Sequence, residues 1–307
     1  MNHEKLLLNQ YLNDNIDFLF EFNGKQILGA TSGLQIVDNI TEGFFGLTAL
    51  TGVPGKGKTT FAIQSVIHNI FKERVPTIYV SLEVNKDMFI SKIISNIIKV
   101  PVKKILKGQL NEIESMRYIE TLNTLLENDF LLILDNVDAS LKNIEESIHF
   151  MEKYIYDKYG ITDKPLVVLD YLNIFYDYGS EGKAEKDKQD KISRQMSEFI
   201  RIKNTTKANF IIITAKNKTG YKVAELSSIK GPNDLEYGFE TILSLEEVDP
   251  DFPVAEFPEN LETGFRSVNT LMAVMKNRWG ENSKKIPLDF NGKYGIFTEP
   301  KINHGSE

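Results

Sequence analysis

The sequence predicts an α/β fold: a mainly parallel sheet flanked by helices. Three observations carry that expectation. A glycine-rich loop, Gly52 to Thr59, stands between a short apolar run and a helical pattern. Short β-rich runs then alternate with helical stretches along most of the chain. Finally, 41% of the 307 residues are hydrophobic, enough to bury a full core.

Taken in order, Leu6, Leu7, Leu8, Leu12, Ile16, Leu19 and Phe20 recur among polar residues and predict an amphipathic helix ahead of the main domain. Gly24 to Ser32 reads as a linker, so residues 1–29 are expected to be helix and linker and residues 30–307 one domain. Leu47 to Thr51 is a strand. After the loop, Ala62, Ile63, Val66, Ile67, Ile70 and Phe71 follow helical spacing. Further strands are expected at Thr77–Leu82, Phe130–Leu134, Leu166–Leu169, Phe210–Thr214 and Thr241–Leu245. Helices are expected at Lys86–Ile98, Asn111–Glu127, Asn143–Tyr159 and Lys191–Lys207. Leu271–Met275 and Ile286–Phe290 read as added strands, then an Asn291-Gly292 hairpin signal and Tyr294–Phe297. Two long polar connections, Asp177 to Asp190 and Lys216 to Asn233, interrupt the pattern.

The loop Gly52-Val53-Pro54-Gly55-Lys56-Gly57-Lys58-Thr59 is G-x-x-x-x-G-K-T in the strand–loop–helix setting the motif requires. Its glycines let successive N–H groups point inward at phosphate oxygens, and the next helix aims its positive end at the same anion. Lys58 would reach the β- and γ-phosphates, and the Thr59 hydroxyl would be a ligand for Mg²⁺. With Thr60, the loop forms the expected cradle for a nucleoside triphosphate.

Composition narrows the alternatives. The chain has no cysteine, which removes disulfides, thiolate–metal sites and cysteine nucleophiles. The histidines His3, His68, His149 and His304 are scattered, against a zinc site. No apolar run approaches the ~18 residues of a membrane span. Asn2, His3 and Glu4 are the wrong start for a signal peptide, so a cytoplasmic, membrane-free protein is expected. Net charge is −7, unlike a protein that coats duplex DNA, although a ring can hold a basic channel inside an acidic exterior.

Hydrolysis needs acidic partners at the carboxyl ends of strands beside the loop. Leu166-Val167-Val168-Leu169-Asp170 ends in an acid suited to hold Mg²⁺ through its water shell. Thr77 to Glu83 ends in one suited to polarise the attacking water. Asp135 closes a third such strand.

At this point the residues resemble a known family, the ATPase domain of DnaB-type replicative helicases. The likeness runs from Thr31-Ser32-Gly33-Leu34 and Gly43-Phe44 into the loop. It continues through Ser81-Leu82-Glu83, Asp170-Tyr171-Leu172-Asn173, Leu235-Glu236 and Lys276-Asn277-Arg278 to Leu288-Asp289-Phe290-Asn291-Gly292-Lys293-Tyr294. The resemblance implies a RecA-like P-loop NTPase core with added C-terminal antiparallel strands, assembled as a homo-hexamer around single-stranded DNA. ATP and Mg²⁺ would sit between subunits, and hydrolysis would drive movement on DNA during replication, alongside other replication proteins. Glu83 matches the family's catalytic glutamate and Asp170 its Walker B aspartate. Lys276 and Arg278 match the basic pair that reaches a neighbour's γ-phosphate. The connections at 177–190 and 216–233 fall where the DNA-facing loops lie.

The sequence also departs from the family's pattern. Asn173 stands for a usual Gln, and Ala215 and Lys216 stand where a γ-phosphate-sensing Gln is usual. Tyr237-Gly238-Phe239-Glu240 replaces an acidic run, and the family's N-terminal domain has no counterpart beyond the segment near Leu6–Phe20. Two other functions fit the same loop: a KaiC-like RecA-fold ATPase acting on protein partners, and a nucleotide-gated loader or scaffold without motor activity.

Overall fold

The structure is a computed structural model that describes residues 24–135, 139–170, 185–214, 235–248 and 268–300, with the side chains of 185–192 and 235–236 outside that description. The expected helix near Leu6–Phe20, the connection 216–233, Asn173, Ala215 and Lys216 lie outside the described residues, as does 177–184.

The strands are β1 (Leu47–Gly52), β2 (Thr77–Ser81), β3 (Leu131–Leu134), β4 (Leu166–Asp170), β5 (Asn209–Ile213), β6 (Thr241–Glu247), β7 (Thr270–Asn277), β8 (Lys284–Asn291) and β9 (Ile296–Thr298). The helices are α1 (Gln35–Thr41), α2 (Lys58–His68), α3 (Lys86–Ile98), α4 (Val102–Leu106), α5 (Glu112–Leu126), α6 (Leu141–Tyr159), α7 (Glu185–Thr206) and α8 (Leu235–Gly238). The strands form a nine-stranded sheet in the order β3-β2-β4-β5-β1-β6-β7-β8-β9. Every pairing from β3 across to β6 is parallel. The pairings β6–β7, β7–β8 and β8–β9 are antiparallel.

The apolar runs become strands because helices cover both sides of the sheet. Leu166, Val167, Val168 and Leu169 are each 0% exposed, so both alternating faces of β4 demand apolar residues. Tyr79 meets Phe89 of α3, with ring centroids 4.1 Å apart. Phe210 meets Phe199 of α7 at 6.1 Å. Through β4, Tyr79 is level with Ile211, the residue after Phe210. Successive strand residues face opposite sides, so α3 and α7 lie on opposite faces.

Helix ends follow local chemistry. Asn85 caps α3 by accepting from the Met88 N–H at 2.8 Å. Asn111 and Glu114 form a reciprocal capping box on α5. Beyond His68, α2 widens into a π turn at Asn69–Glu73, where the Asn69 amide donates to the carbonyls of Thr31 and Ser65, both at 2.8 Å.

Two expectations change. The second half of Gly24–Ser32 is packed strap rather than linker. Ala30 bridges to Phe44, and a β-carbon on Gly29 would stand 2.3 Å from the Phe44 carbonyl carbon. Asp38 accepts from the Ser32 N–H at 2.7 Å and from the Thr31 hydroxyl, and the Ser65 hydroxyl donates to the Ser32 carbonyl at 3.0 Å. The strap is thereby fastened to α2. Secondly, α7 begins at Glu185, inside the expected connection, not at Lys191. Glu185 to Lys191 is all polar, so no apolar period announced a helix that its Glu, Lys and Gln favour.

Candidate functional site

The glycine loop leaves the carboxyl end of β1 and opens α2. Gly52 has φ 145°, and a β-carbon there would lie 2.5 Å from the Leu245 carbonyl oxygen of β6. Gly57 has φ 89°, and its β-carbon would lie 2.9 Å from Phe297 Cζ. Only glycine fits either place. The turn is therefore set by the adjoining strand on one side and the β8–β9 hairpin on the other.

Lys58 folds back over the loop, and its ammonium donates to the carbonyls of Gly52 at 3.0 Å and Val53 at 3.1 Å. Burial lowers its pKa, while the charges of Asp170 and Glu83 work the other way. Lys56 pairs with Glu247, at the end of β6, at 2.6 Å, and that ammonium holds the Glu247 carboxyl below its usual range. Pro54 and Gly55 are exposed, with Val53 and Thr60 half-buried. Thr60 borders a cavity of about 320 Å³ whose walls include Lys92, Lys103, Lys293 and Tyr294.

Asp170 ends β4 beside Ser81 of β2 and is 1% exposed. Its Oδ2 accepts from the Tyr79 hydroxyl at 2.7 Å and its Oδ1 from the Thr59 hydroxyl at 3.3 Å. Burial raises its pKa, the two hydroxyls and Lys92 oppose that, and Glu83 adds to it. Glu83 is exposed and follows directly: the Leu82 N–H donates to the Asp170 carbonyl at 2.8 Å, and the Ser81 hydroxyl donates to the Val84 carbonyl. The chain turns there, presenting Glu83 at the mouth of the same edge.

The structure thus brings together Lys58, Thr59, Asp170 and Glu83. Asp135 is not among them; it follows edge strand β3 and pairs with Lys86 at 3.0 Å. Lys276 and Arg278 stand elsewhere. Gly52 is level with Leu245 and Met272, whereas Thr241 is level with Asn277. Because β7 runs antiparallel, Arg278 lies at the amino edge of the parallel strands, level with Glu240 and about 17 Å from the loop's level at roughly 3.4 Å per residue. A bulge leaves Met275 extra between the pairs Leu243–Val274 and Ile242–Lys276, which re-aims the strand just before Lys276. The Arg278 guanidinium is exposed and donates to the Tyr237 carbonyl at 3.0 Å.

Among the described residues, no group of three or more His, Asp or Glu side chains can hold a metal. The Thr59 hydroxyl and Asp170 carboxylate are hard oxygens of the kind Mg²⁺ takes, one carboxylate with the rest supplied by phosphate and water, so the donor set fits that ion. Sequence reasoning missed Tyr79. The available signal was a phenol inside a buried aliphatic strand, since a buried tyrosine hydroxyl seeks a polar partner.

The chain is 28% identical over 162 residues to the replicative DNA helicase DnaB of Buchnera aphidicola subsp. Baizongia pistaciae, a stretch covering 52% of this chain and 34% of that protein. It is 24% identical over 280 residues to a probable plasmid replicative DNA helicase of Chlamydia psittaci, covering 89% of this chain and 56% of that protein. The chain therefore spans between about a third and just over half of these relatives. In fold it is similar to a DnaB-like replicative helicase whose structure was solved together with its interactions with primase. That likeness has TM-score 0.74 at 18% identity, covering 96% of this chain and 69% of that one. Residues 29–299 match the family model of the DnaB-like helicase C terminal domain, and the chain belongs to that family.

Proposed function

We propose that this chain is an ATP-hydrolysing motor that moves on single-stranded DNA as a ring of like subunits, in the service of DNA replication. The observation that carries the reading is the meeting of Lys58, Thr59 and Asp170 at the carboxyl edge of β1 and β4, within a chain of the DnaB-like helicase family. Backbone N–H groups of Gly55 to Thr60 and the Lys58 ammonium would take the phosphates in exchange for the lysine's present carbonyl partners. Thr59 and Asp170 would hold Mg²⁺, which supplies charge neutralisation at the phosphates when bound. Glu83, exposed at the mouth, would orient and polarise the attacking water.

Lys276 and Arg278 would complete the site from a neighbouring subunit. The place of Arg278 at the amino edge of the sheet supports this role, because it puts that guanidinium out of reach of its own loop, whereas Lys276 is level with Ala49 in the middle of β1. A cation delivered in trans stabilises charge on the transferred phosphoryl group.

The test is an ATPase assay at low salt with and without single-stranded DNA. Turnover is expected to rise with DNA and to vanish in Lys58→Ala. Glu83→Gln is expected to keep nucleotide affinity and lose about 100-fold or more in turnover. Turnover indifferent to DNA would remove the motor reading.

A further inference from the structure

We propose that Tyr79 is a positioning residue for the cation-binding carboxylate: its hydroxyl engages Asp170 Oδ2 and so leaves Oδ1, beside Thr59, as the oxygen turned toward the metal. This rests on the functional reading above, which assigns Asp170 to Mg²⁺ and gives Tyr79 no part.

The two oxygens of Asp170 are held unequally. Oδ2 receives a 2.7 Å bond from Tyr79, and Oδ1 a longer 3.3 Å contact from Thr59. Both Tyr79 and Asp170 are 1% exposed, so water does not compete for Oδ2. The phenol is itself fixed. Tyr79 is level with Val168, two residues before Asp170 on the same face of the adjoining strand, a diagonal that a tyrosine spans. Its ring lies against Phe89 at 4.1 Å with a 32° tilt. A carboxylate without that donor is free to turn about its last bond, present both oxygens, or pair with the nearby Lys58 ammonium. Groups that orient a metal ligand in this way typically change metal affinity about 10–100-fold when removed.

Tyr79→Phe deletes only the hydroxyl and keeps the ring contact with Phe89. In the full chain, Mn²⁺ bound with ADP is followed by electron paramagnetic resonance, and ADP affinity is measured separately in EDTA. Mn²⁺ affinity is expected to fall about 10-fold or more, with metal-free ADP affinity unchanged because the glycine cradle is untouched. In an Asp170→Asn background the same substitution is expected to add nothing, since Tyr79 acts through that carboxylate. Equal Mn²⁺ affinity in the parent and Tyr79→Phe chains overturns the proposal. Should the phenylalanine variant fail to fold, 3-fluorotyrosine placed at position 79 keeps ring and hydroxyl. Its ¹⁹F resonance is expected to move when Mg²⁺ joins the ADP-bound chain, and an unmoved resonance overturns the proposal. A parent chain that binds neither ADP in EDTA nor Mn²⁺ with ADP would sink the functional reading instead.

Discussion

Gly57 and Gly55 share a left-handed backbone, at φ 89° and 80°, yet their surroundings differ. A β-carbon at Gly57 would meet Phe297 at 2.9 Å and Phe290 at 3.0 Å, whereas nothing lies within 4 Å of one at Gly55. An alanine at either site carries backbone strain of about 1–3 kcal/mol. Only at Gly57 must the two stacked rings, 4.3 Å apart, also move. Gly57→Ala is therefore expected to lower the melting temperature by more than Gly55→Ala and to weaken ADP binding about 10-fold or more. Thermal melting and ADP titration of both variants check this, and equal effects would contradict it. The loop residues and both acids were legible because chemistry limits their types. Tyr79 was hidden by its own strand, where an aromatic residue reads as core.

At the scale of elements, the end of α6 is clasped to the start of β3. Asp129 accepts from Lys158 at 2.5 Å, from the Tyr154 hydroxyl at 2.9 Å and from the Tyr159 hydroxyl. The Arg74 guanidinium lies over Phe130 at 5.1 Å and Tyr159 at 4.9 Å. Hydrogen bonds from Lys158 first, then from the tyrosines, pull the Asp129 pKa from 3.8 down to about 2. A carboxyl depressed in the folded state adds stability above its unfolded pKa and loses it as pH falls through the folded one. Asp129→Asn is therefore expected to melt lower than the parent at neutral pH, with the gap closing between about pH 4 and 2. A gap that persists at pH 2 would contradict the clasp.

The same scale shows why most elements could be read in advance. Strands buried on both faces leave apolar runs, and α3 came out at Lys86–Ile98 because Asn85 starts it and a left-handed Lys99 stops it. The strap before α1 could not be read that way. Gly29 and Ala30 pair through backbone, and Thr31 and Ser32 through short polar side chains, a composition that also describes a loose linker. The start of α7 was hidden for the opposite reason, a helix with no apolar period.

Across the whole molecule, the sheet separates the two sets of residues that the proposed motor would use. The loop, Asp170 and Glu83 occupy the carboxyl edge, and Arg278 the amino edge. A sequence shows which residues can stabilise a phosphoryl group but not which edge each occupies, so the separation emerged only from strand direction. A lone chain also leaves Ile113, Met116, Ile119 and Leu126 of α5 exposed, between 57% and 83%. Such a stripe favours association. If the proposed trans site operates, turnover per chain is expected to fall as the protein is diluted while ADP affinity holds, because binding would use one chain and hydrolysis two. Light scattering beside an ATPase dilution series measures both; constant turnover in a monomeric population would contradict a shared site.

The most direct test mixes two inactive chains. Glu83→Gln spoils the water-orienting side of the site and Arg278→Ala the side supplied by the neighbour. Random assembly into a ring places both intact halves together at about a quarter of the junctions. An equal mixture, reassembled together, is expected to recover a substantial part of parent ATPase activity. A mixture as inactive as its two components would contradict the claim that neighbouring subunits share each site.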